Sequence, residues 1–210
     1  MPSTKDLRDR IRSVSNTAKV TGAMQMIAAS KMTRAQNMVR EGRPYADRVR
    51  DVLGDLAALA AREEDAETVD LLKVRPVKKT LVLLITPDRG LAGALVGNLQ
   101  RTAGQFIQQT EGEISVIGAG RKGERFVTRT GQDLLAAFSV PDRPRLDDTV
   151  TISRMLVDEY ASERVDSVVL IYAKFINTAV QEMTVRQLLP VEPPQRGEED
   201  VEKLEQLDYI

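Results

Sequence analysis

The sequence predicts an α/β protein in which a long N-terminal coiled-coil helix is attached to an open, Rossmann-like sheet of about five strands flanked by helices. Three observations carry this expectation. From Lys5 to Arg62, small and apolar residues return at alternating spacings of three and four. Thr80 to Thr86 (TLVLLIT) and Asp166 to Tyr172 (DSVVLIY) are unbroken apolar runs of strand length, as expected for strands buried on both faces. Between and after these runs, helical and strand-like segments alternate.

The helical seam runs through Leu7, Ile11, Val14, Ala18, Thr21, Gln25, Ala28, Met32 and Ala35, and continues through Val39, Gly42, Ala46, Val49, Leu53, Leu56 and Ala60. At about 1.5 Å per residue, a helix over this stretch is roughly 85 Å long, so it is expected to project from the body and to need a partner. Between Ala18 and Ala35 the seam is lined by small residues, which favours close approach of another helix. Val20, Ala23, Met24, Met26, Ile27 and Ala29 place apolar groups on the other faces, and a helix apolar nearly all round is one enclosed nearly all round. Gly22, Gly42 and Gly54 weaken it by about 1 kcal/mol each relative to Ala. Pro44 removes a hydrogen bond and crowds the carbonyl of Arg40, so a bend is expected near Gly42 to Tyr45.

The rest of the chain divides in order. Residues 63–79, acid-rich and closed by Val74-Arg75-Pro76, read as a linker or short helix; residues 80–191 form the α/β body; residues 192–210 are an acidic tail. Within the body the pattern predicts a strand at 80–86, a helix at 91–109, a strand at 114–117, a helix around 122–129, a weak strand at 134–140, a helix opened by Asp147 and Asp148, and a strand at 166–172. The segment 174–189 then returns as an antiparallel strand.

Composition narrows the chemistry. The chain has no Cys and no His, which removes thiolate catalysis, imidazole acid/base chemistry and the usual zinc ligands. No run of 18 apolar residues is present, so direct membrane insertion is not expected, and Met1 is followed by polar residues rather than a signal core. Residues 5–50 carry eleven Lys/Arg against four Asp/Glu, whereas residues 51–70 carry seven acids and only Arg62. A basic helix suits charged partners. Nucleic acid is disfavoured because the seam offers no aromatic for base stacking and the cations form no single stripe.

Two glycine motifs in the body invite a cofactor. Gly118-Ala119-Gly120-Arg121-Lys122-Gly123 is a literal G-x-G-x-x-G between a strand and a helix. It opens the second βα unit rather than the first, and no acid ends a clear strand about twenty residues on. Thr86-Pro87-Asp88-Arg89-Gly90-Leu91-Ala92-Gly93 also joins a strand to a helix, where backbone N–H groups can hold an anion. The expectation for both is a structural turn, with Asp88 capping the helix and the glycines permitting close packing, and no cofactor is expected. The paired acids Glu63-Glu64, Asp147-Asp148 and Glu198-Glu199-Asp200 lie in polar surroundings unsuited to acid/base work, and no catalytic or metal-binding constellation emerges.

Several of these stretches together carry a family likeness. Ile11-Arg12-Ser13-Val14-Ser15-Asn16-Thr17, Val20-Thr21-Gly22-Ala23-Met24-Gln25-Met26-Ile27-Ala28-Ala29-Ser30-Lys31-Met32, Arg34-Ala35-Gln36 and Arg43-Pro44-Tyr45-Ala46 resemble the N-terminal helix of the gamma subunit of F-type ATP synthase. Ile85 to Gly93, Val116-Ile117-Gly118 with Lys122-Gly123, Lys174-Phe175, Gln181-Glu182 and Leu188-Leu189-Pro190 resemble the same family in the same order.

The resemblance implies a non-catalytic central rotor stalk of a proton-translocating ATP synthase. Its shaft would turn inside a ring of alpha and beta subunits, and its foot would meet the epsilon subunit and the membrane rotor ring. The implied location is peripheral, on the cytoplasmic face of a bacterial inner or plasma membrane. Shaft contacts with the alpha and beta subunits are expected at Arg8, Arg12, Lys19, Met24, Met26, Ile27, Lys31 and Arg34. Gly22 and Gln25 depart from the charged residues usual in the family. The Cys-bearing insertion of the chloroplast branch is absent, which is expected to exclude thiol control. The chain also stops about where the family continues into a C-terminal helix paired with the first, and it reads as a truncated form. A nucleotide-dependent oxidoreductase and a basic coiled-coil adaptor remain as alternatives.

Overall fold

The computed structural model describes residues 3–60, 70–141 and 143–191. Helix α1 spans Thr4–Ala60, 57 residues. It opens on a reciprocal cap: the Ser3 N–H donates to Asp6 Oδ2 at 2.9 Å and the Asp6 N–H donates to Ser3 Oγ at 3.2 Å. The Ser3 N–H first, and the Ser3 side chain second, hold the Asp6 carboxyl below the usual carboxylate range. The helix is unbroken through Gly42, Pro44 and Gly54. A single missing N–H is tolerated because the carbonyl it leaves, on exposed Arg40, can turn to water. The chain forms two units, one ending at Val52 and the other beginning at Leu53. Positions 61 and 62 of the expected helix, and the tail at 192–210, lie outside the described residues.

The body starts with a short 3₁₀ turn at Asp70–Leu72 and an irregular stretch, followed by β1 (Lys79–Ile85), α2 (Leu95–Gln109), β2 (Glu113–Ala119), α3 (Arg121–Thr130), β3 (Asp133–Phe138), α4 (Leu146–Ala161), β4 (Ser167–Phe175) and β5 (Gln181–Leu189). The strand order is β3-β2-β1-β4-β5, with the first four parallel and β5 antiparallel to β4. The order reverses at β1, as in doubly wound sheets.

Both faces of β1 are covered, which explains its continuous apolar run. Leu81 and Leu83 enter a cluster with Ile152, Leu156 and Tyr160 of α4. Val82 and Leu84 enter the opposite cluster with Ala103 of α2 and Phe126 and Val127 of α3. Two boundaries differ from the sequence expectation. Helix α2 begins at Leu95 rather than residue 91, because Leu91 (φ 59°) and Gly93 (φ 58°) adopt left-handed backbone. Lys174 and Phe175 belong to β4 rather than to the returning strand, and the turn between them and β5 is closed by Asn177, whose Oδ1 accepts the N–H groups of Ala179 and Val180 at 2.9 Å.

Candidate functional surface: the exposed helix and the closed crevice

Helix α1 carries the predicted contact residues, and its large apolar side chains face solvent. Ile11 is 69%, Val14 68%, Met26 72% and Ile27 60% exposed. Leu7, Met24 and Met32 are exposed as well. Polar groups on the helix are partly satisfied from within. The Thr17, Thr21 and Thr33 hydroxyls donate to the carbonyls of Ser13, Thr17 and Ala29, four residues back, at 3.0, 2.8 and 3.1 Å. Thr21, a seam position, therefore has no hydroxyl proton left to satisfy and suits a dry helical partner, as do Ala18, Ala28 and Ala35.

At 3.6 residues per turn, Arg8, Arg12, Lys19, Lys31 and Arg34 all fall off the seam. The half of the helix opposite the seam also carries Met26 and Ile27, so it presents cations interleaved with apolar side chains. The predicted seam and the predicted contact residues thus occupy different sides of one helix, and from Leu7 to Ala35 all of them are exposed.

The second candidate, the glycine turn, is filled by the chain itself. Gly120 has φ 107°, and a Cβ there would lie 1.9 Å from the Thr86 carbonyl oxygen, so only glycine lets β1 and the start of α3 approach. The N–H groups that would hold a phosphate at the α3 N-terminus have internal partners. Arg121 N–H donates to Asp88 Oδ1 at 2.8 Å, Gly123 N–H to Thr86 Oγ1 at 2.7 Å, and Gly120 N–H to the Phe138 carbonyl at 2.8 Å. Asp88 Oδ2 accepts the Ser139 hydroxyl at 3.2 Å. A shallow depression of about 460 Å³ lies here, lined by Asp88, Arg89, Arg121, Ser139, Val140 and Pro141. Asp88 is the anion native to this crevice, and with Thr86 it already takes the Arg121 and Gly123 N–H groups that a pyrophosphate on α3 would need. Asp88 was expected to cap the next helix in sequence; it caps α3 instead, and α2 starts from Ala94 without a side-chain cap.

Sequence reasoning missed one polar cluster. Arg75, in the stretch before β1, donates to the carbonyls of Tyr160 and Val165 at 2.9 and 3.2 Å and lies 4.5 Å above the Tyr160 ring. Burial holds the Tyr160 phenol above its usual range, an effect that the Arg75 charge opposes. Asp166 accepts the N–H groups of Lys78 and Lys79, both at 2.9 Å, and these bonds hold its carboxyl below the usual range. The partners lie 85 to 90 residues apart, so no local pattern announces them.

Among the described residues no group of three or more acidic side chains is placed to hold a metal ion, and no helix is long and apolar enough to cross a membrane. A long exposed helix in the same chain as an α/β domain whose glycine turn is occupied by its own Asp88 and Thr86 fits the class of stalk proteins. The comparisons with known proteins agree. The ATP synthase family matches residues 3–210. The ATP synthase gamma chain of Roseiflexus castenholzii is 46% identical over 199 residues, covering 92% of this chain and 68% of that one. That of Acidithiobacillus ferrooxidans is 42% identical, covering 100% and 72%. The central stalk and c-ring of the Tetrahymena thermophila mitochondrial ATP synthase share the fold, with TM-score 0.66 and 24% identity over 81% of this chain and 72% of that one. The Euglena gracilis mitochondrial rotor also shares it, with TM-score 0.55 and 18% identity over 95% and 65%. The chain belongs to the ATP synthase gamma-chain family. It is a stalk subunit with no chemistry of its own, and nothing in the crevice or the comparisons supports the oxidoreductase or adaptor alternatives.

Proposed function

We propose that α1 is the shaft of a rotor that turns inside a ring of alpha and beta subunits, and that the body couples it to the epsilon subunit and the membrane rotor ring. The observation that carries this reading is the exposure of apolar side chains on several sides of α1, with cations interleaved on the half opposite the seam. The seam is the side for a helical partner. Met24, Met26 and Ile27 are the surface a bearing grips. Arg8, Arg12, Lys19, Lys31 and Arg34 meet acidic surfaces of the surrounding subunits, an attraction that changes with rotation angle. Torque then forces each nucleotide site of the ring through different affinities in turn, and the coupling is a free energy shared between the rotor angle and the bound nucleotide. Membership in a family of bacterial gamma chains supports a peripheral position on the cytoplasmic face of the inner membrane, with protons as the coupling ion.

The test is Met24→Lys in the assembled complex in vesicles. A charge on the gripped face must find a carboxylate or stay desolvated at several kcal/mol. The expected result is weakened coupling of ion flow to ATP synthesis with assembly kept. Normal coupling in this variant would overturn the shaft assignment.

A further inference from the structure

We propose that Arg75 is a latch that pins the strap leading into β1 to the end of α4, so that turning force arriving at this strap passes into the body without slip. The proposal rests on the stalk reading above. The strap, residues 73–78, has no helix or strand of its own, and apolar burial does little to hold it, since Val74 is 83% and Val77 53% exposed. Polar attachments replace that burial.

Arg75 is the central one. Its side chain is largely buried, and its guanidinium reaches two carbonyls at the end of α4 and in the turn beyond it, Tyr160 O and Val165 O. Helix α4 has no basic residue in its last turn, so Arg75 supplies the cation that this carbonyl end lacks. Two carboxylates flank it, Glu163 at 3.4 Å and Asp166 at 4.0 Å. On either side of Arg75 the strap is tied by backbone bonds to the same region: the Tyr160 hydroxyl donates to the Lys73 carbonyl, and the Lys78 and Lys79 N–H groups donate to Asp166. One guanidinium therefore joins the strap to the helix end, the aromatic ring and the carboxylate that hold the rest of it. Nη2 alone donates to both carbonyls while the guanidinium plane lies over the Tyr160 ring, and this pairing of ring contact with several donors suits Arg better than Lys. Without it, residues 73–78 are a length of irregular backbone held to the body only at their two ends. Arg75 is a positioning residue: it touches no substrate and acts through the stiffness of the joint.

The test uses the complete ATP synthase in vesicles, carrying Arg75→Ala, Arg75→Lys or Tyr160→Phe. For Arg75→Ala the expected result is near-normal ATP hydrolysis with a severalfold drop in ions pumped per ATP, and exchange at the Lys78 and Lys79 amides roughly tenfold faster or more. Arg75→Lys should fall between this variant and the unmodified subunit. A residue that only stabilises the fold would lower the amount or melting temperature of the complex and leave the pumping ratio of the surviving complexes intact; that outcome overturns the latch. If Arg75→Ala fails to assemble, Tyr160→Phe removes only the bond to Lys73 and must still lower the ratio, and an unchanged ratio overturns the proposal equally. Met24→Lys separates the two readings. Uncoupling by Met24→Lys with none by Arg75→Ala defeats the latch and leaves the stalk, whereas normal coupling in Met24→Lys defeats the shaft assignment and, with it, the latch that rests on it.

Discussion

The body and helix α1 use the same apolar residue types to opposite ends. In the body, Leu81, Val82, Leu84 and Ile117 are all but removed from water, each covered by an element of the same chain. In α1, Ile11, Val14, Met26 and Ile27 are equally apolar and stay exposed. Burial of a Leu, Ile or Met side chain is worth about 1.5–3 kcal/mol, and the body collects that stabilisation on folding. The helix leaves it uncollected, to be gained on assembly. Apolarity therefore marks the place where water will finally be excluded, and only the presence or absence of a covering element tells whether folding or binding excludes it.

The contrast can be broken most sharply at Gly120. Gly120→Ala adds a Cβ against the Thr86 carbonyl in left-handed backbone, and should cost about 5 kcal/mol or more of body stability, seen as loss of the cooperative urea transition. Such a loss would come with no change in any nucleotide affinity. Retained stability would mean that the β1–α3 junction is looser than the distances indicate.

A matched pair sharpens the comparison at lower cost. Leu81→Ala, fully buried, should lower unfolding free energy by about 2–5 kcal/mol. Ile27→Ala, exposed on α1, should leave it within about 0.5 kcal/mol in the isolated chain. Its effect should surface instead in the stability of the assembled complex. Equal effects of the two substitutions in the isolated chain would show that α1 is already covered.

The smallest effect concerns acid. Because two backbone N–H groups hold the folded Asp166 carboxyl below its ordinary range, its stabilisation is complete above the unfolded value of about 4 and is lost as pH falls through the lower, folded value. Asp166→Asn should be the less stable protein at pH 7, and the two urea midpoints should converge as the pH is lowered to about 2. A constant gap between them across that range would assign the loss to packing rather than to charge.

Much of this was legible in the residues. TLVLLIT is apolar at every second and every intervening position, which requires cover on both faces, and β1 has it. The three-and-four spacing from Leu7 marked a single long helix, and the absence of Cys and His removed whole classes of catalysis. These properties are encoded within a turn or a strand, so a local pattern suffices to read them.

What tertiary structure decided lies across long separations. Asp88 reaches Arg121, 33 residues on, and so supplies the particular bond that makes G-x-G-x-x-G a structural turn here. Arg75 reaches Tyr160, 85 residues on, and converts an apparent linker into a pinned strap. Gly120 is indispensable only because the Thr86 carbonyl comes to rest where its side chain would be. A sequence carries no local trace of such contacts, because each partner is an ordinary residue for its own segment and acquires its role when the sheet brings the segments together.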